Sequence, residues 1–164
     1  MELYSEEEKK NIETLRGINE KLEKFFDLER DKWEDRLKPL YDTVKLHMTR
    51  ETAERIVFTQ ADALTIRQEI TSLIAKFLEK RSKQEAKIKR LKQDKFVFYA
   101  IGTGLKTNTT EKSLLIEAHL AEETRNMELI ENYVEYLRAI GKNLESLQYT
   151  FKNIIELYTL LGAR

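Results

Sequence analysis

The chain has 164 residues with 35% charged and 41% hydrophobic side chains, five glycines, one proline and no cysteine, a composition typical of long helices. Lys plus Arg and Asp plus Glu each number 29, so the bulk charge attracts no polyanion and only a local asymmetry can. The lack of cysteine excludes disulfides and thiolate metal sites and permits a reducing, intracellular setting.

The acidic stretch Met1–Lys10 lacks the apolar region of a signal peptide. Ser5 followed by Glu8 reads as a capping box that starts a helix. Ile12, Leu15, Leu22, Phe26 and Trp33 then form one thin helical face. In residues 1–36 acidic side chains outnumber basic ones 12 to 8. Pro39 is expected to interrupt this helix, because proline has no amide donor and clashes with the preceding turn. Leu40, Tyr41, Val44 and Met48 suggest a short linking helix beyond it. Residues 1–48 are thus an acidic N-terminal helical arm.

Thr49 is a plausible N-cap for a second helix over residues 49–101. A seven-residue repeat runs through Ile56, Ala63, Ile70, Phe77, Gln84, Leu91 and Phe98, with Ile66, Leu73 or Ile74, Ile88 and Ile101 at the companion positions. Such a heptad predicts a packed helical seam, weakest between Phe77 and Ile88. Phe96, Val97, Phe98 and Tyr99 are strand-prone, which allows a short extended segment at its end. Gly102, Thr103, Gly104 and Thr107–Thr110 mark a turn over 102–110, short enough to join two antiparallel helices.

Residues 111–164 form the most regular segment. Tyr133, Leu137, Ile140, Leu144, Leu147, Phe151, Ile154, Tyr158 and Leu161 alternate spacings of four and three, the signature of a coiled-coil seam. The polar region Glu122–Glu128 is a candidate bend. The expected fold is all-α: long helices in an antiparallel hairpin with coiled-coil seams, plus the N-terminal arm. Two such seams and one thin helix predict a homo-oligomer, with Leu137, Ile140, Leu144, Leu147, Phe151, Ile154, Tyr158 and Leu161 as its contact. A closed ring and a dimer both fit this pattern.

Catalytic signatures are lacking. There is no GxxxxGK[ST] or GxGxxG loop, and Gly102-Thr103-Gly104 follows no βα unit. Neither His47 nor His119 has the Glu three residues earlier that helical di-iron sites use, and Glu117 and His119 point to different sides of a helix. The expectation is a protein that is not an enzyme, with no catalytic residue, no metal and no cofactor. No apolar run approaches the roughly 20 residues of a membrane span, so neither a membrane partner nor a location other than the cytoplasm is expected.

One strong charge asymmetry stands out. Lys76, Lys80, Arg81, Lys83, Lys87, Lys89, Arg90, Lys92 and Lys95 face only Glu79, Glu85 and Asp94, nine cations less three anions or +6. Lys76, Lys80, Lys83, Lys87 and Arg90 form a stripe at spacings of four and three. Phe96, Phe98 and Tyr99 follow, and Lys106 lies in the adjoining loop. Cations in a row track the phosphates of single-stranded DNA, and aromatic faces stack on its bases. The candidate contacts are Lys83, Lys87, Lys89, Arg90, Lys92, Lys95, Tyr99 and Lys106. The competing reading is a structural or protein-interaction coiled-coil scaffold. In it the stretch is a solvated helix face that pairs with acidic segments of neighbouring chains, either the N-terminal arm or residues 111–145, which carry eight acidic and four basic side chains.

The order of parts resembles the UvsY-type recombination mediators of tailed phages over residues 55–161. The elements are Lys87-Ile88-Lys89-Arg90-Leu91-Lys92-Gln93-Asp94-Lys95, then Phe98-Tyr99-Ala100-Ile101-Gly102, then Glu111-Lys112-Ser113. A long helix with Tyr133 closes in the Ile-rich seam near Ile154. The resemblance implies a protein that binds single-stranded DNA and assembles as a ring-like homo-oligomer through its C-terminal helices. It further implies help in loading a recombinase onto DNA covered by a single-strand-binding protein, in the cytoplasm of a phage-infected cell. It points to Lys92 and Lys95, with Lys89 and Arg90 beside them, as DNA contacts. The N-terminal 45 or so residues have no counterpart in that pattern.

Overall fold

The computed structural model describes residues 5–46, 49–102 and 108–162. The chain is all-α. Among the described residues there are four α-helices, α1 (Glu6–Thr43), α2 (Arg50–Val97), α3 (Thr109–His119) and α4 (Ala121–Gly162), and a π-helical turn, Phe98–Gly102, that follows α2 directly. No helix among them is long and apolar enough to cross a membrane.

The helix starts follow local chemistry. Ser5 Oγ accepts from the Glu8 amide at 3.2 Å while Glu8 accepts from the Ser5 amide at 2.8 Å, the reciprocal box that satisfies two orphan donors. Thr49 and Thr52 make the same exchange at the start of α2, and Asn108 with Glu111 at the start of α3.

Pro39 lies inside α1 and does not interrupt it. Both Pro39 and Asp35, whose carbonyl loses its amide partner, lie on the exposed side of α1. The helix runs one further turn, where Thr43 Oγ1 donates to the Pro39 carbonyl at 2.9 Å. No strand forms at 96–101, which is helical throughout. The C-terminal segment is divided at Leu120, ahead of the polar region where a bend was expected. The Leu120 amide is shared between the Ile116 and Glu117 carbonyls at 3.1 and 3.2 Å.

The helices build two compact units. One comprises Phe26–Lys76 and Val134–Arg164. Here α1 buries Phe26, Trp33, Leu37 and Leu40, α2 buries Ile56, Ala63, Ile66 and Ile70, and α4 buries Val134, Leu137, Ile140, Leu144, Leu147 and Phe151. The stripe expected to face another copy is therefore covered within the chain as far as Phe151. The reason is α1, which supplies a third apolar face. Its aromatic residues are held by polar neighbours: Arg36 sits 4.5 Å over the Trp33 ring and grips Glu69 through two hydrogen bonds of 2.7 and 3.1 Å. Beyond Phe151 the stripe emerges, with Ile154 and Tyr158 half-buried and Leu161 exposed.

The other unit comprises Met1–Phe25 and Phe77–Tyr133. Phe77 meets Tyr133 edge-on at 5.1 Å. Ile88, Tyr99, Ile116 and Leu120 form a cluster flanked by Leu91, Leu115 and Met127. The weak stretch of the α2 heptad is bridged by polar groups: Gln84 Nε2 donates to the Glu123 carbonyl at 3.2 Å and Arg81 pairs with Glu131 at 3.3 Å. At its end the heptad fails. Phe98 and Ile101 are exposed and Tyr99 is buried instead. A straight helix drifts about 20° per heptad against a seven-residue repeat, so three heptads carry Phe98 well off the face occupied by Phe77.

Candidate nucleic-acid interface

The basic stretch lies near the end of α2. At about 100° per residue, Ile88 and Tyr99 share the buried face. Lys80, Lys83, Lys87 and Arg90 line one flank, and Lys89, Lys92 and Phe96 follow one another at spacings of three and four on the other. Lys87, Lys89, Arg90 and Lys92 are all exposed or half-exposed side chains of the helix surface, and none of the four makes an ion pair among the described residues, whose pairs involve other side chains.

Of the remaining cations, Lys76 is exposed and makes no ion pair among the described residues, and the others are engaged. Lys83, also exposed, pairs with Glu79 one turn earlier at 2.5 Å. Arg81 is held by Glu131. Lys80 lies 5.2 Å from the centroid of the Phe77 ring. Lys95 is only 23% exposed and forms an ion pair with Glu8 of α1, with its ammonium 5.8 Å from the Phe98 ring centroid. Glu8 is held at about 2: burial pushes its carboxyl up, but hydrogen bonds from Lys95 and the Ser5 amide and the charge of Lys95 outweigh it.

Tyr99, placed among the candidate contacts, offers no face to a base. It is 5% exposed and hydrogen-bonded through its hydroxyl to His119 Nε2. His119 is itself buried, and burial followed by the charge of Lys95 holds it below its ordinary value against the pull of Glu8. Lys106 lies outside the described residues. Among the described residues there is no group of three or more His, Cys, Asp or Glu that could hold a metal ion.

Among the described ion pairs, the one that joins the acidic arm to the basic stretch is Glu8 with Lys95. The other ion pairs described in this unit that link α1 to another helix, Arg16 with Glu122 and Glu23 with Arg125, go to α4.

Two features carry no sequence motif. A groove of about 400 Å³ opens beside Lys92, lined by Gln93, Phe96 and Val97 of α2 and Ser113, Ile116 and Glu117 of α3. The other is the buried amide of Asn19, joined to Glu122 and Asn126 of α4. A strand-prone aromatic next to a run of lysines was the available sign of the groove. A lone Asn on an otherwise apolar stripe was the sign of the buried amide.

Fold and surface together define an all-α protein with a basic patch on one long helix, four of whose cations make no ion pair among the described residues. Comparison with protein-family models, with curated proteins and with solved structures returned no match to this chain.

Proposed function

We propose that the chain is a non-enzymatic single-stranded-DNA-binding protein of the recombination-mediator kind. The observation that supports this best is the patch Lys87, Lys89, Arg90 and Lys92: four surface cations within six residues, unpaired among the described residues, in a chain of zero net charge. Arg81 and Lys95 are held by carboxylates of other helices, whereas these four cations are left to anions outside the chain; phosphates supply them, and the release of their counterions drives binding.

In this reading α2 and the helices after it form an antiparallel hairpin. The contacts Arg81 with Glu131 and Gln84 with Glu123 agree with that, since partner numbers fall on one side as they rise on the other. Self-association runs through the exposed end of α4, where Leu157, Leu160 and Leu161 are 59–72% exposed, because the preceding stripe is already covered within the chain. Repeating a modest phosphate site by symmetry raises avidity without a deep pocket. The handing of DNA from a single-strand-binding protein to a recombinase rests on the resemblance to UvsY-type mediators. The scaffold reading draws on the Lys95–Glu8 and Arg81–Glu131 pairs.

A salt titration of binding to labelled single- and double-stranded oligonucleotides tests the proposal. The expected result is single-strand-preferring binding that weakens with salt. The joint variant Lys87→Glu, Lys89→Glu, Arg90→Glu and Lys92→Glu should lower the log–log salt slope by about 3, since each phosphate left unneutralised removes roughly 0.7. Its melting temperature should stay unchanged. Folded wild-type protein that binds no strand at low salt overturns the proposal in favour of the scaffold.

A further inference from the structure

We infer that the groove between the end of α2 and α3 is a base-binding subsite, in which an unpaired nucleobase packs against Phe96 while the adjoining phosphates lie over Lys89 and Lys92. This rests on the single-strand reading above and names how the strand is held.

The groove has two chemistries side by side. Phe96, Val97 and Ile116 give it an apolar wall, and Phe96 and Val97 remain 48% and 55% exposed. A large ring left half in water forgoes part of the stabilisation that its full burial contributes. Gln93, Ser113 and Glu117 supply polar edges. The Ser113 hydroxyl donates to the Thr109 carbonyl at 3.1 Å, which leaves its lone pairs to accept. The Glu117 carboxylate makes no ion pair among the described residues.

Charge decides which ligand fits. Glu117 repels a phosphate from the groove, whereas Lys92 at its wall and Lys89 one turn earlier attract one to the rim. A ligand with a flat, neutral, hydrogen-bonding body and an anionic backbone meets both demands, and a nucleotide unit of a single strand is such a ligand. Carboxylate and hydroxyl acceptors suit the amino and imino donors of base edges. The volume of about 400 Å³ is at the lower end of small-molecule sites, roughly 300–1,000 Å³. That suits one base better than a docked helix some 10–12 Å across.

The test compares the full chain on a base-bearing oligonucleotide and on an abasic sugar-phosphate strand of equal length, by fluorescence anisotropy over a range of salt. Wild type is expected to hold the base-bearing strand about five- to a hundredfold more tightly, with equal salt slopes for the two. Phe96→Ala is expected to reduce the base-bearing strand to the abasic level without changing the slope. Phe96 is half exposed, so the fold should tolerate this change; should it not, the wild-type comparison of the two strands decides alone. Equal wild-type affinity for both strands overturns the subsite and leaves phosphate binding intact. Binding to neither strand overturns the subsite and the single-strand reading together, and makes the groove a site for a protein segment.

Discussion

The side-chain amide of Asn19 donates to the main-chain carbonyl of Glu122 at 2.8 Å and to its carboxylate at 3.0 Å, while its oxygen accepts from Asn126 Nδ2 at 2.8 Å. The amide is completely buried. It occupies the α1 stripe seven residues before Phe26, where an apolar residue would prolong the pattern. Burial pushes the Glu122 carboxyl up, but the hydrogen bonds from Asn19 and Arg16 bring it below its ordinary value. Each polar group of the buried side chain has a partner on α4, so a fully satisfied polar network sits on an otherwise apolar stripe.

Asn19→Ala is therefore expected to cost about 2–4 kcal/mol, since it removes three hydrogen bonds from a fully buried side chain. Chemical denaturation followed by circular dichroism measures this. A loss below about 0.5 kcal/mol, the range of a neutral surface change, would show that the amide is dispensable for the fold.

Two leucines of the same C-terminal stripe should behave differently. Leu144 is fully buried, and Leu144→Ala should destabilise the chain by about 2–5 kcal/mol. Leu161 is exposed, and Leu161→Ala should stay within about 0.5 kcal/mol. Light scattering after size exclusion should show Leu157→Asp with Leu161→Asp lowering the assembled mass at unchanged stability. If Leu144→Ala leaves stability intact and lowers the mass, the stripe faces another copy after all.

In the proposed strand-binding reading, Glu8, which holds Lys95 in an ion pair, competes with phosphate for it. Glu8→Gln is expected to strengthen strand binding several-fold at low salt, since one further cation is released to the strand. It also changes the acid limb. The folded carboxyl lies at about 2 against an ordinary 4.5, so its contribution to stability is complete above 4.5 and is lost as pH falls toward 2. Acid unfolding of the variant should lack that part of the loss. An acid profile identical to wild type would mean that the Glu8–Lys95 pair does not form in solution.

His119 acts in a separate window. Its folded value lies below the ordinary 6.5, so the unfolded chain takes up a proton first and stability declines as pH falls below about 6.5. His119→Gln keeps a hydrogen-bond acceptor for the Tyr99 hydroxyl and should flatten the profile between about pH 7 and pH 5, as followed by denaturant midpoints. An unchanged slope would assign the dependence to another group.

The helices were legible because their signals are local. Ser5 with Glu8 and Thr49 mark starts within four residues, Leu137 to Phe151 mark one apolar helix face, and the basic run of α2 is visible as written. Pro39 misled because the cost of a proline depends on whether the freed carbonyl meets solvent, which only the packing of α1 shows.

Tertiary structure alone decided which partners these faces meet. The C-terminal stripe reads the same whether α1 or a second copy covers it, and in the fold it is buried within the chain as far as Phe151, in a unit that also buries Phe26 and Trp33. Likewise Lys95 and Lys92 are alike in sequence, yet one is taken by Glu8, 87 residues away, and the other makes no ion pair among the described residues. Asn19 and Glu122 are 103 residues apart. Helix-forming periodicity is written over a few turns of chain, whereas the choice of partner is a comparison between distant surfaces that no local pattern encodes.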